Sequence, residues 1–240
     1  MRDYLLDLVQ HTYDLGCVDL IKIEGTDKET LIHGLAEDRS VVIQGKFLNP
    51  IPEFIGTFGM PSLSTLKIIL GIDEYKTDAD ISITQDATKG PVSMIFKNAA
   101  GDFTNNYRFM AKEIVDEKMK TVKFKGAKWD VELEPTVQSL MRLKYQAQAN
   151  SDETTYQMKT ENGDLVMYFG DHSTHAGNFV FQHDINGELK KAWHWPVGHT
   201  INILSLAGDK TMRVSDAGAT EITVNSGLAE YTYILPAQSK

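Results

Sequence analysis

The sequence predicts an α+β protein built from two similar domains. Three observations carry this. Most of the chain alternates apolar and polar residues with the period of a β-strand; each half breaks that rhythm twice with helical spacing; and the breaks recur in the same order about 133 residues apart, the mark of an internal repeat. The predicted boundaries are a first domain over residues 1–114, a connector over 115–130 and a second domain over 131–240.

Residues 2–13 open the first half as a helix, with Leu5, Leu8, Val9 and Thr12 on one face and Asp3, Asp7 and Gln10 opposite. Ile21 and Ile23, Val41 and Ile43, Ile81 and Ile83, Val92, Met94 and Phe96, and Tyr107 and Phe109 mark strands. Between them, 52–70 reads as the second helix, interrupted at Gly59–Pro61. The connector carries Lys118, Lys120, Lys123, Lys125 and Lys128 and reads as a solvated link with an apolar edge at Val122 and Phe124.

The second half repeats the plan. Residues 135–147 form a helix with Pro135 in its first turn; Val137, Leu140 and Met141 face inward, opposite Gln138, Ser139, Arg142 and Gln146. Strands follow at 165–169, 178–184, 212–214 and 222–224, with a helix near 197–207. Turn signals separate them: "KNAAGD", "ENGD", "INGE" and "SDAGA". The last strand, "AEYTYILP", is apolar on both faces, so it should be covered on both, and Pro236 ends it because proline has no N–H for the ladder.

Bulk properties narrow the function. The chain has 240 residues, 42% of them apolar and 24% charged, with a net charge of −9. Residues 1–117 hold 11 basic against 19 acidic residues, whereas the remainder is nearly balanced, so a broad basic nucleic-acid surface is excluded. No stretch has the roughly 18–20 apolar residues of a membrane helix. Asp3, Asp7 and Asp14 among the first leucines do not fit a secretion signal. A single cysteine, Cys17, excludes an internal disulfide; the expected compartment is the reducing cytoplasm.

Catalytic motifs are missing: there is no phosphate-binding glycine loop, nucleophile elbow or His-Glu-x-x-His. "GDHSTHAG" sets His172 and His175 beside Asp171, at a spacing that could hold a divalent metal, but the glycines and hydroxyl residues around them read as a hairpin loop. "AWHWP" places Trp193 and Trp195 as a potential stacking platform, though alternation favours a strand edge. No cofactor and no metal are expected.

In order and spacing the duplicated unit resembles the DNA sliding clamps, the processivity factors of DNA polymerases, and within them the two-domain clamps of tailed bacteriophages and the proliferating-cell clamps. "TVQSLMRLKYQ", "GNFVFQHD" and "GLAEYTYILPA" carry the resemblance. It implies no enzymatic activity but a homotrimeric ring around duplex DNA, tethering a DNA polymerase and served by a clamp loader, with transcription factors as further partners; a phage origin would place it in the host cytoplasm. The strand around Arg108–Ile114 is then expected to pair with Asn178–Asp184 of the next subunit, with Phe109, Ala111, Phe179 and Phe181 at the seam. Arg2, Lys67, Arg142 and Lys144 are the DNA-facing candidates, few because the first helix is acidic. A partner peptide is expected on Leu35, Val41, Val122, Phe124, Tyr233, Ile234, Leu235 and Pro236. Two other readings remain: a virion or scaffold β-protein joined through edge strands, and a metal-dependent hydrolase using His172 and His175.

Overall fold

The structure is a computed structural model and describes residues 1–87, 90–119, 124, 126–171 and 175–238. The chain divides into two compact units. Unit 1 comprises residues 1–122 together with 226–231; unit 2 comprises 123–225 and 232–240.

In unit 1, helix α1 (Arg2–His11) is followed by strands β1 (Leu20–Gly25), β2 (Thr30–Leu35), β3 (Val42–Phe47) and β4 (Gly56–Pro61). Helix α2 (Leu63–Gly71), strands β5 (Asp80–Gln85), β6 (Pro91–Lys97) and β7 (Thr104–Arg108), and the short helix α3 (Lys112–Lys118) complete it. The strands lie in the orders β4-β1-β2-β3 and β5-β6-β7, all antiparallel. Alternation chooses their inner faces: Ile21, Ile23, Ile32, Ile43 and Phe58 are fully buried, and Leu5 and Leu8 of α1 join them. Gly25 is required where β1 meets the turn at 52–54, since a Cβ there would stand 1.9 Å from the carbonyl oxygen of Phe54.

Unit 2 holds β8 (Val131–Leu133), α4 (Val137–Ala149), β9 (Thr155–Glu161), β10 (Asp164–Phe169), β11 (Gly177–Gln182), β12 (Asn186–Gly187), β13 (His194–Pro196) and α5 (Val197–Leu204). It ends with β14 (Asp209–Ser215), β15 (Ala219–Asn225) and β16 (Ala229–Pro236), whose opening residues Ala229–Tyr231 belong to unit 1. Its four-stranded order, β13-β9-β10-β11, copies β4-β1-β2-β3 of unit 1, and β14-β15-β16 copies β5-β6-β7. The duplication read from spacing is therefore present in the topology.

Four local expectations are corrected. Residues 56–61 are strand β4 rather than part of a helix, because Gly59 bonds both ways with Met110 and the helix begins only after Pro61. Residues 112–118 are helical, so the outer strand ends at Arg108 and does not run to Ile114. Asp7 is buried rather than on the polar face of α1. In α4, Ser139 and Leu143 are the buried positions, whereas Val137 is 80% exposed; Pro135 precedes the cap, Thr136, whose hydroxyl accepts from the Ser139 N–H at 3.0 Å.

Asp7 is buried because it has partners. Tyr231 donates its hydroxyl to Asp7 Oδ2 at 2.8 Å, and the Tyr231 ring stacks on His11 at 4.6 Å between centroids. His11 Nδ1 lies 2.8 Å from the Asp7 carbonyl oxygen and 3.3 Å from Oδ1. The apolar strand "AEYTYILP" is thus held to α1 through a polar contact. Beyond Tyr231, Tyr233, Ile234 and Leu235 are buried on both faces of β16, and Pro236, its last residue, is exposed.

Candidate functional site

Strand edges come first. β7 ends the order β5-β6-β7 and β11 ends β13-β9-β10-β11. An uncovered edge presents N–H and C=O groups that another strand can take up. In unit 1, the β3 edge is not open: Ala229–Tyr231 lies beside it, and the Leu48 N–H donates to Leu228 O at 2.9 Å.

The four residues expected at a seam are differently placed. Phe109 is buried in unit 1, its ring 4.4 Å from Phe58 and 6.1 Å from Tyr107. Phe181 is buried in unit 2, with Phe179 half-buried beside it. Ala111 is exposed at the start of α3. The larger exposed apolar groups near these edges are on helices: Val137, Met141 and Tyr145 recur every fourth residue on α4, which packs along β11, and Ile68 stands on α2, which touches β7.

Three of the expected DNA-facing cations have partners within their own unit. Arg2 Nη2 donates to Leu70 O at 2.9 Å, closing the C-terminal end of α2. Lys67 pairs with Asp14 at 2.8 Å, a contact that raises the lysine pKa above its ordinary value. Arg142 Nη1 donates to Val180 O at 3.1 Å. Lys144 is half-buried on α4. On the helices, then, cationic charge is sparse and partly engaged, which sequence alone could not show because carbonyl acceptors are not legible in residue spacing.

For the expected peptide residues, Val41 is wholly buried in unit 1 and Tyr233, Ile234 and Leu235 in unit 2, leaving Leu35, Phe124 and Pro236 with exposed surface. Val122 lies outside the described residues. Phe124 packs on Trp129 at 6.0 Å, and the Arg213 guanidinium lies 5.0 Å over the Trp129 ring. Leu35 borders a cleft of about 510 Å³ in unit 1 whose walls include Leu20, Pro61, Met110 and Met119 with Glu37 and Arg39 at the β2–β3 loop. Ser62 and Arg39, both in the left-handed backbone region, line it too. The sequence reading missed this cleft, since its walls come from five separated segments.

Among the described residues, no group of three His, Cys, Asp or Glu side chains could hold a metal ion; His172 lies outside them. His183 Nδ1 sits 2.9 Å from Asp164 Oδ2, an ion-pair geometry at the end of β11. Trp195 is buried and Trp193 donates to Asp216 O at 2.9 Å, so "AWHWP" is a packed strand and loop.

A twice-repeated helix and antiparallel-sheet unit with this strand order is the fold of the DNA sliding clamps, and the chain has that fold. PCNA from Thermococcus kodakaraensis aligns with a TM-score of 0.70 over 98% of this chain and 97% of its own, at 10% identity. A structure of A. fulgidus PCNA with the C-terminal region of FEN-1 bound aligns at 0.71, covering 98% and 96%, at 11% identity. No family model and no curated protein matches the sequence.

Proposed function

We propose that this chain is a sliding clamp: a non-catalytic subunit that closes with two further copies around duplex DNA and tethers a DNA polymerase for processive synthesis. One observation supports this most. In unit 1 the β3 edge takes the opening residues of β16, and β16 is unit 2's counterpart of β7. The counterpart of β3 is β11. The same pairing rule applied between copies joins β11 of one to β7 of the next, a head-to-tail contact that closes into a ring under the right rotation. The clamp fold favours three copies.

Retention on DNA would then be topological. A charge of −9 and few basic residues on the helices argue against tight ionic grip; with Arg2, Lys67 and Arg142 engaged within their own units, Lys144 is the expected cation left to touch phosphate in passing. Tethering raises the polymerase's effective concentration at the primer end. The partner peptide is seated, on this reading, against Leu35 in the unit 1 cleft. A clamp loader and transcription proteins are candidate owners of such peptides, and a phage-infected cytoplasm is the proposed setting.

Light scattering should give about 81 kDa, three times the 26.9 kDa chain. Loaded protein should stay on circular DNA and leave linear DNA by its ends. A monomer at every concentration that is also absent from circular DNA overturns the clamp reading; open-ended assemblies would favour a scaffold protein. Leu35→Glu should weaken polymerase-peptide binding without changing the mass.

A further inference from the structure

The two equivalent sheet edges are finished differently. Beside β3 lies a strand, Ala229–Tyr231; beside β11 lies helix α4. Arg142 Nη1 donates to Val180 O at 3.1 Å and Gln146 Nε2 donates to Asn178 O at 3.4 Å. The match is geometric. Four residues of helix rise about 6 Å and two residues of strand about 6.6 Å, and backbone groups two apart point the same way, so side chains at i and i+4 can reach alternate carbonyls. Ser139 Oγ anchors the helix to the same strand through Phe181 O at 2.6 Å. A cleft of about 390 Å³ lies between Arg142, Tyr145 and Gln146 on the helix and Phe179 and Val180 on the strand, with His183 just past the strand's end.

We propose that Arg142 and Gln146 are a removable cap on the β11 edge, occupying in the free subunit the carbonyls that a second copy's β7 takes when the seam forms. This rests on the ring reading and adds how the seam is regulated. The occupant is argued from the chain's own pairing: the strand that covers β3 is the counterpart of β7. The flanks agree, since Val137, Met141 and Tyr145 leave an apolar stripe beside β11 and Ile68 stands exposed near β7. On closure Asn178 O and Val180 O exchange side-chain donors for N–H groups of the second copy. Because bonds are exchanged rather than added, the seam is readily reversible, and Arg142 serves assembly rather than DNA.

The test is sedimentation of the full chain as wild type, Arg142→Ala and Arg142→Ala/Gln146→Ala, with melting followed to confirm folding. Arg142 is exposed, Gln146 is half-buried but Asn150 keeps the Gln146 carbonyl as acceptor, and Ser139 is untouched, so the fold should persist. Removing two competing hydrogen bonds should tighten each seam about tenfold in the double variant and about threefold in the single. If wild type forms rings and the variants associate equally or more weakly, the cap is refuted and the ring stands. If wild type stays monomeric while the double variant assembles, the cap stands and a ring of free subunits does not. If neither assembles, both fail.

Discussion

Tyr231→Phe removes one oxygen and keeps the ring, so it isolates the hydroxyl's contact with Asp7. Tyr231 is fully buried and Asp7 is 9% exposed, 2.8 Å from hydroxyl to carboxylate. The Phe ring can preserve the stack on His11, and the volume change is small. What is lost is a donor to a buried carboxylate oxygen, worth about 1–3 kcal/mol when the acceptor is left short of partners. For a chain of this length each kcal/mol lowers the melting temperature by about 2–4 °C. Urea unfolding should show a lower midpoint with unchanged m-value, since the native surface is the same. Hydrogen exchange should rise first in residues 226–231. A double-mutant cycle with Asp7→Ala should give a coupling of about 0.5–3 kcal/mol, as for residues in direct contact. A midpoint shift equivalent to less than about 0.5 kcal/mol, with no coupling, would refute the claim that this contact fastens the terminal strand to α1.

Other outcomes follow from single features. Burial, with Asp38's negative charge adding to it, pushes the Cys17 thiol up to about 11, so iodoacetamide at pH 8 should label it at least about a hundredfold more slowly than a free thiol; rapid labelling would refute that environment. Burial alone would raise Glu24, but hydrogen bonding and charge from Lys22 and His33 outweigh it and hold the carboxyl below its ordinary 4.5. A lowered folded pKa stabilises above the unfolded value and is lost as pH falls through the folded one, so Lys22→Met should flatten the acid limb of the stability profile below about pH 4.5. Phe181→Asp should unfold unit 2, because the ring is buried in its own unit, whereas Tyr145→Asp on the exposed stripe should leave melting nearly unchanged and weaken self-association.

Much of the fold was legible because its cause is local. A period-2 pattern decides strand faces, so Ile21, Ile23, Val41 and Ile43 are inside as alternation requires. The repeat itself was legible, since both halves obey one order of elements. Where local signals were ambiguous, long-range pairing chose: "GTFGMP" became strand β4 because β1 and Met110 were there to receive it. The same holds for the site. Charge said that Asp7 is polar and Arg142 is a free cation, but charge does not name a partner. Only the fold brought Tyr231 to Asp7 across 224 residues and set the Val180 carbonyl before Arg142. Composition thus determined how little basic charge the chain has to offer DNA, and tertiary structure decided where that charge goes, because a buried or edge carbonyl takes the nearest donor whatever its distance in sequence.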